Sequence, residues 1–445
     1  MKTLPVLDPN AVGIDVGSEA LHVSIGGDTP KVFGTMTADL QALCRYLLEH
    51  GARTVALEAT GVYWLCVYEV LEAAGLEVHV VNGRHVKNLP GRKTDMLDCQ
   101  WLATLHAHGL LRSGFVPTAE IRRLQDYLRL RQDHLTMGAS HVQHMQKAME
   151  RMNIKLHDVL SSITGVSGLN VIRAILQGER NPERLLGLCD VQIRKNKAER
   201  MREALRGTWK AEHLFALRQA LAGWEFYQQQ VRECDEAIEQ VLKDLQPPDD
   251  PSSPEPDTAK RKPDSPNAPH INDLHRMLVR LCGGCDVTAL PGIADYSLLQ
   301  LIGEVGTDLR QWPSEKHFTA WLGLAPGSRQ SGKRRGHVAR QRNRAGRMFC
   351  MLAQSLARSV DKALGGFYRR LRARRGGLVA NQALARKLAA LFWKCMVHGS
   401  AYVEQGLNQY HQRVADTEQR RLRKLARLHG FKLIPIEPAT AEVPG

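Results

Sequence analysis

Apolar and polar positions alternate at the front of the chain and then shift to a longer period. Residues 11–36 hold three short β-rich runs, AVGIDVGS, LHVSIGG and KVFGTM, each broken by Gly or Asp, the pattern of consecutive antiparallel strands. TADLQALCRYLLEHG (37–51) changes to helical spacing, with Thr at its start and Gly at its end. A strand TVALEAT (54–60), a helix VYWLCVYEVLEAAG (62–75), a strand LEVHVVN (76–82) and a helix over KTDMLDCQWLATLHAHG (93–109) complete this region.

From about residue 118 the apolar spacing is three and four. Ile121, Leu124, Leu128, Leu135, Val142, Met145, Met149 and Met152 keep that step, with Arg131 and Gly138 standing in its gaps. Leu214, Leu217, Leu221, Trp224, Val231, Ile238 and Leu245 repeat it. Two helices of about 30 residues follow, either as a coiled coil, antiparallel or between chains, or as ordinary bundle helices within one chain. Residues 246–270 contain eight prolines and almost nothing apolar, which predicts a disordered linker. Residues 271–412 read as mostly helical. EQRRLRKLARLHG then predicts a basic helix before a loose tail.

The expected class is α/β plus all-α. Three strands followed by strand–helix alternation resemble an RNase H-like domain. The expected organisation is 1–117 for that domain, 118–245 for the long helices, 246–270 for the linker, 271–412 for a helical domain and 413–445 for the basic helix and tail.

Charge narrows the function. The 445 residues carry a formal net charge of +15, which points to a polyanion, most commonly nucleic acid. A ribosome-associated protein or one on an anionic membrane would share that balance. No stretch approaches the ~20 apolar residues of a membrane span, and MKTLPVLDPN lacks the apolar core of a signal peptide. Nine scattered cysteines, with only Cys282 and Cys285 close together, read as buried or loop thiols in a reducing cytosol rather than as a zinc site.

Four carboxylates stand out by position. Asp15 lies in the first strand, Glu58 ends the fourth, and Asp95 and Asp98 are three apart on one helix and so share a face. In an RNase H-like sheet the first and fourth strands are neighbours and a late helix crosses them. Singly, each acid is explained as a turn, a cap or an ion-pair partner of Arg92 or Lys93. Together they suit a pair of divalent cations working on a phosphodiester. Glu19, Asp28 and Asp39 lack such positions and read as surface charges.

The stretch APGSRQSGKRRGHVARQRNRAGR (325–347) holds eight Lys or Arg and no acid. Ser328 sits in a turn-like PGSR, and Ser331 precedes a glycine that allows close backbone approach. By chemistry alone the strip binds phosphate, or else it carries a serine nucleophile whose anion the arginines stabilise. Upstream, LPGIADYSLLQLIGEVG is explained equally by a helix–hairpin–helix and by a plain helical hairpin.

In combination, GIDVGS, ALEATGVYW, GRKTDMLDCQWLA, LPGI with IGEVG, AWLGLAPGSRQSGKRRG and GRMF resemble the transposases of the insertion-sequence 110 family. The resemblance spans about 11–117 and 285–400. It implies a RuvC-like DEDD domain followed by a serine-bearing transposase domain. Asp15, Glu58, Asp95 and Asp98 match the acids that hold Mg²⁺ (or Mn²⁺), and Ser331 matches the nucleophile that forms a phosphoserine link to DNA. Arg329, Arg334, Arg335, Arg340 and Arg344 then act as phosphate clamps around Ser331, with Lys333, Arg342 and Arg347 as further nucleic-acid contacts. The implied partners are donor and target DNA, a guide (bridge) RNA and further protomers, as a dimer or tetramer. The implied setting is prokaryotic, cytoplasmic and nucleoid-associated, with no membrane. Two other functions fit the residues: a junction-resolvase-like nuclease in which water attacks, and a non-catalytic nucleic-acid-binding scaffold.

Overall fold

Every strand has two faces, and the central strands of the first sheet bury both. In the computed structural model β1 (Val12–Val16), β2 (Ala20–Ile25), β3 (Lys31–Gly34), β4 (Thr54–Glu58) and β5 (Glu77–Val81) form one sheet of order β3-β2-β1-β4-β5. β1 to β3 run antiparallel in sequence, whereas β4 lies parallel to both β1 and β5. Val12, Ile14 and Val16 alternate onto one face, where α1 (Thr37–Glu49) and α2 (Tyr63–Ala73) cover them with Leu40, Leu43, Leu47, Val67 and Leu71. The opposite face carries Gly13, Asp15 and Ala56 and meets α3 (Asp95–Ala107), with Leu102 packed on Ala56 and Val81.

The structure describes residues 5–59, 61–81, 83, 95–248, 267–326, 329–331, 334–336, 341–358, 364–399, 412, 415–416 and 419–433. At 95–96, 329–331 and 334–336 the description covers the backbone. Most of the proline-rich segment, residues 249–266, and most of the tail lie outside the described residues. The chain divides into two compact units, Met1–Val116 and Pro117–Gly445. Among the described residues no helix is long and apolar enough to cross a membrane.

The second unit is built on α4 (Ala119–Arg151) and α10 (Ala211–Asp244), which pack together within the one chain. They are antiparallel: Arg123 pairs with Asp244, Arg131 with Asp235, and the His141 ring lies against Gly223. The two gaps in the apolar repeat have separate causes. Arg131 is fully buried and donates from Nε to Asp235 at 2.5 Å, and from Nη1 to the Asn267 carbonyl at 2.9 Å and the Tyr296 hydroxyl at 3.0 Å. Gly138 faces Tyr227, Gln228 and Trp224 of α10.

Between the long helices α5 (Leu156–Val159), α6 (Val166–Leu176), α7 (Pro182–Gly187), α8 (Val191–Asn196) and α9 (Ala198–Ala204) fold into a cap. Met149, Met152, Ile172, Ile175, Leu185 and Met201 fill its core.

Beyond the linker come α11 (Leu274–Leu281), a 3₁₀ turn (Val287–Ala289), α12 (Asp295–Val305) and α13 (Glu315–Trp321). Next are a hairpin of β6 (Arg329–Ser331) and β7 (Arg334–Gly336), then α14 (Arg344–Ala357), α15 (Leu364–Arg375) and α16 (Gly377–His398). Residues 419–428 are helical as well. Phe318, Phe349 and Phe392 are buried against one another, with Trp312 and Trp321 alongside, and this aromatic core ties α13, α14 and α16 together. α12 joins the same unit through Gly303, whose carbonyl accepts from Gln125 at 2.9 Å and whose bare Cα lets Leu128 approach.

Both ends of the linker are held. Arg280 donates to the Pro247 carbonyl at 3.0 Å, and the His270 N–H donates to Asp235 at 3.1 Å beside Asn267. Cys282 and Cys285 are buried, with Cys285 Sγ 3.1 Å from Cys395 Sγ. Burial, then the neighbouring Cys285 and Asp286, pushes the Cys282 thiol up to about 12.

Candidate active site

The acidic site begins with a residue that has no side chain. A Cβ on Gly13 would stand 2.3 Å from the Ala103 backbone nitrogen and 2.4 Å from the Cys99 carbonyl oxygen. Glycine therefore allows α3 to lie directly on β1. Asp15, two residues on, points to the same face. The parallel pairing ends at Ile14 opposite Leu57, so the next positions on the two strands are Asp15 and Glu58. Neighbouring strands are about 4.8 Å apart, which puts these two acids side by side on the α3 face.

The helix brings the third acid. Asp98 precedes Cys99, which is fully buried against β1. Burial pushes the Cys99 thiol up to about 11; a Gln100 backbone hydrogen bond opposes this, while the negative charges of Asp15 and Asp98 add to it. Asp15 and Asp98 thus flank one buried sulfur. Asp95 begins the same helix, one turn before Asp98, and its side chain lies outside the described residues. Glu58 is buried, and its Oε1 would be 1.9 Å from a Cβ at Gly83. Among the described residues no group of three His, Cys, Asp or Glu side chains is already drawn into a metal-holding cluster. Asp15, Glu58 and Asp98 are nonetheless hard oxygen donors on one face, a donor type that suits Mg²⁺ and not a soft metal.

The serine strip belongs to the second unit, where two helix ends close its base. The Gly323 backbone has φ +73°, and a Cβ there would meet the Gln341 carbonyl oxygen at 2.8 Å. Asn343 caps α14, accepting from the Gly346 N–H at 2.8 Å, and donates to the Trp321 carbonyl at the end of α13 at 3.3 Å. Gly346 is forced by the same closeness, since its Cβ would lie 2.1 Å from the Leu322 carbonyl oxygen. Inside this closed base the strip forms a hairpin in which Ser331 pairs with Arg334 and Arg329 with Gly336.

The cations of the strip fall into distinct groups. Arg329, Arg334 and Arg335 stand in the hairpin strands, and Lys333 and Arg340, like Ser328, lie outside the described residues. Arg342 is exposed and donates to Gln382 of α16 at 3.1 Å, while Arg347 donates to the Arg342 carbonyl at 3.3 Å. Arg344 pairs with Glu304 at 3.4 Å, and Arg129 meets the same carboxylate at 3.1 Å. Glu304 thereby fixes where the basic strip enters α14.

Two family models match the chain. One, described as Transposase (DEDD_Tnp_IS110), covers residues 12–154. The other, described as Transposase IS116/IS110/IS902 family, covers residues 286–369, and the two together span just over half the chain. The chain belongs to the IS110 family of transposases. No curated protein matches it. The first match takes in the whole sheet, α3 and α4; the second runs from the 3₁₀ turn into α15 and includes the serine strip. The transposase is accordingly an enzyme that acts on DNA.

Gly13, Gly83, Gly346 and Glu304 were absent from the sequence-based site, although each determines where a candidate residue stands. GIDVGS, IGEVG and GRMF did contain three of them as motif residues. The contacts that give them their importance lie far apart in the chain and leave no local pattern.

Proposed function

We propose that this transposase cuts and rejoins DNA through a covalent phosphoserine, with Ser331 as nucleophile and Asp15, Glu58, Asp95 and Asp98 as ligands of divalent metal. The observation that carries this reading is that the two matched segments contain these residues separately, the acids within 12–154 and Ser331 within 286–369. The coplanar placement of Asp15 and Glu58 beneath α3 supports the metal half. When bound, Mg²⁺ neutralises charge on the scissile phosphate and polarises it toward attack.

The chain's own residues do the rest. The Ser331 oxygen forms a bond to phosphorus while the bond from phosphorus to a deoxyribose oxygen breaks. The proton from the serine hydroxyl ends on the departing sugar oxygen, so the intermediate is a DNA strand esterified to protein. Attack by another strand's hydroxyl reverses the step and restores the serine. Arg329, Arg334, Arg335 and Arg340 hold phosphate oxygens around Ser331 and stabilise the added negative charge. Lys333, Arg342, Arg344 and Arg347 extend that grip along the strand. Target choice falls to a guide RNA whose loops pair with donor and target DNA, which agrees with a basic sequence that has no recognisable base-reading motif. Protomers assemble as a dimer or tetramer, as the family resemblance implies.

The test is denaturing electrophoresis of reactions on labelled donor and target DNA with guide RNA. Ser331→Ala abolishes the protein–DNA adduct and leaves nucleic-acid binding intact. Asp15→Ala stops strand cleavage. Adducts that persist in Ser331→Ala overturn the serine assignment, and cleavage without any adduct identifies water as the nucleophile.

A further inference from the structure

Several exposed arginines elsewhere on the second unit have acidic partners. Arg173 pairs with Glu225 at 2.6 Å, and Arg202 reaches both Glu183 and Glu199. α15 is arranged differently from these. It carries Arg370, Arg372, Arg374 and Arg375, all exposed, and among the described residues no acid pairs with any of these four. The sequence explains why: no Asp or Glu occurs between Asp361 and Glu404.

A solvated helix face mixes charges, because like charges three or four apart destabilise the helix. Arg370 and Arg374 are four apart, and Arg372 and Arg375 are three apart. The helix dipole favours cations in the last turn but does nothing for their mutual repulsion. An arrangement that weakens its own helix is offset when an anion lies across it.

The helix is also firmly mounted beside the strip. α15 packs on α14 and α16, and Lys387 of α16 lies 4.9 Å over the Phe367 ring. Asn381 of α16 donates to the Cys350 carbonyl of α14 at 3.2 Å, and Gln382 next to it accepts from Arg342 at the end of the strip. Arg370 to Arg375 advance by about 8 Å along the axis, roughly two phosphates of one strand.

We infer that Arg370, Arg372, Arg374 and Arg375 of α15 form a second phosphodiester-binding track, continuing the grip of the serine strip onto the flanking DNA or RNA backbone. The matched family segment stops at residue 369, just before this cluster. The inference rests on the nucleic-acid reading above and adds a surface to it.

The test uses the full-length protein and fluorescence anisotropy over a series of KCl concentrations, with a labelled DNA duplex in one arm and a labelled RNA hairpin in the other. Replacing all four arginines by Gln makes the plot of log K against log salt shallower, by about 0.9 for each duplex-DNA phosphate that is no longer neutralised. The probe whose slope changes identifies which backbone is bound. Replacing the four by Lys preserves the slope, since charge is what the grip needs. A charge-matched control, with Arg194, Lys195, Arg200 and Arg206 of the helical cap changed to Gln, leaves it unchanged.

Wild-type slopes with both probes in the Gln variant overturn the inference. So does an equal change in the cap control, which would make the effect one of net charge, or an equal change in the Lys variant, which would make it structural. Absence of binding by the wild-type protein to either probe instead defeats the nucleic-acid reading itself.

Discussion

The first atoms a methyl group added at Gly83 would meet are those of the Glu58 carboxylate. The atom in the way is the end of a flexible side chain, so the fold can yield by turning the carboxylate aside. Gly83→Ala is therefore expected to change stability by less than about 1 kcal/mol while lowering Mg²⁺-dependent DNA cleavage tenfold or more. Thermal melting and a cleavage assay across a Mg²⁺ titration check the two halves, and unchanged cleavage would detach Glu58 from catalysis. At this scale the placement of Asp15 and Glu58 in their strands and of Asp98 on its helix was legible, because strand ends and helical spacing are local properties. Gly83 was not, since its role comes from a contact across 25 positions with no periodicity behind it. Arg344 shows the same limit from the other side. As part of a basic run it reads as a phosphate clamp, and its ion pair with Glu304 appears only once α12 and α14 are brought together.

Among the elements, the long helices show most plainly what a pattern can and cannot convey. Their three-and-four spacing predicted both, and even marked Arg131 as an interruption. It left open whether the partner was another chain, because apolar spacing is the same in either case. The buried Arg131–Asp235 pair fixes the register of α4 against α10 and reaches α12 through Tyr296. Breaking a buried pair leaves an uncompensated charge, so Arg131→Met and Asp235→Leu each cost about 3–5 kcal/mol, and the double variant recovers most of the loss. Urea unfolding of the four proteins measures this; a double variant as weak as the sum of the singles would show that the pair does not act as a unit. The β6–β7 hairpin was the element least visible in advance. Its strands are rich in arginine and have no apolar alternation, and the glycines and Asn343 that close its base belong to the flanking helices.

On the scale of the whole molecule, the sequence separated residues 118–245 from 271–412 across a proline-rich stretch, whereas both lie in the single unit Pro117–Gly445. Composition marks where a chain lacks core-forming residues, but it does not show the contacts that rejoin its two sides, polar groups among them. Arg131 reaches Asn267 on the far side of that stretch, and Arg280 reaches back to Pro247. Covalent continuity is consequently expected to be dispensable there. Trypsin, offered Lys260 and Arg261, should nick the native protein in this stretch and yield two fragments that still elute together on gel filtration under native conditions. Fragments that come apart would show that the peptide connection was needed after all. A gene interrupted at the same place would then encode two polypeptides able to reconstitute the second unit by complementation, and insertions of foreign sequence would be accommodated without moving α4, α10 or α12.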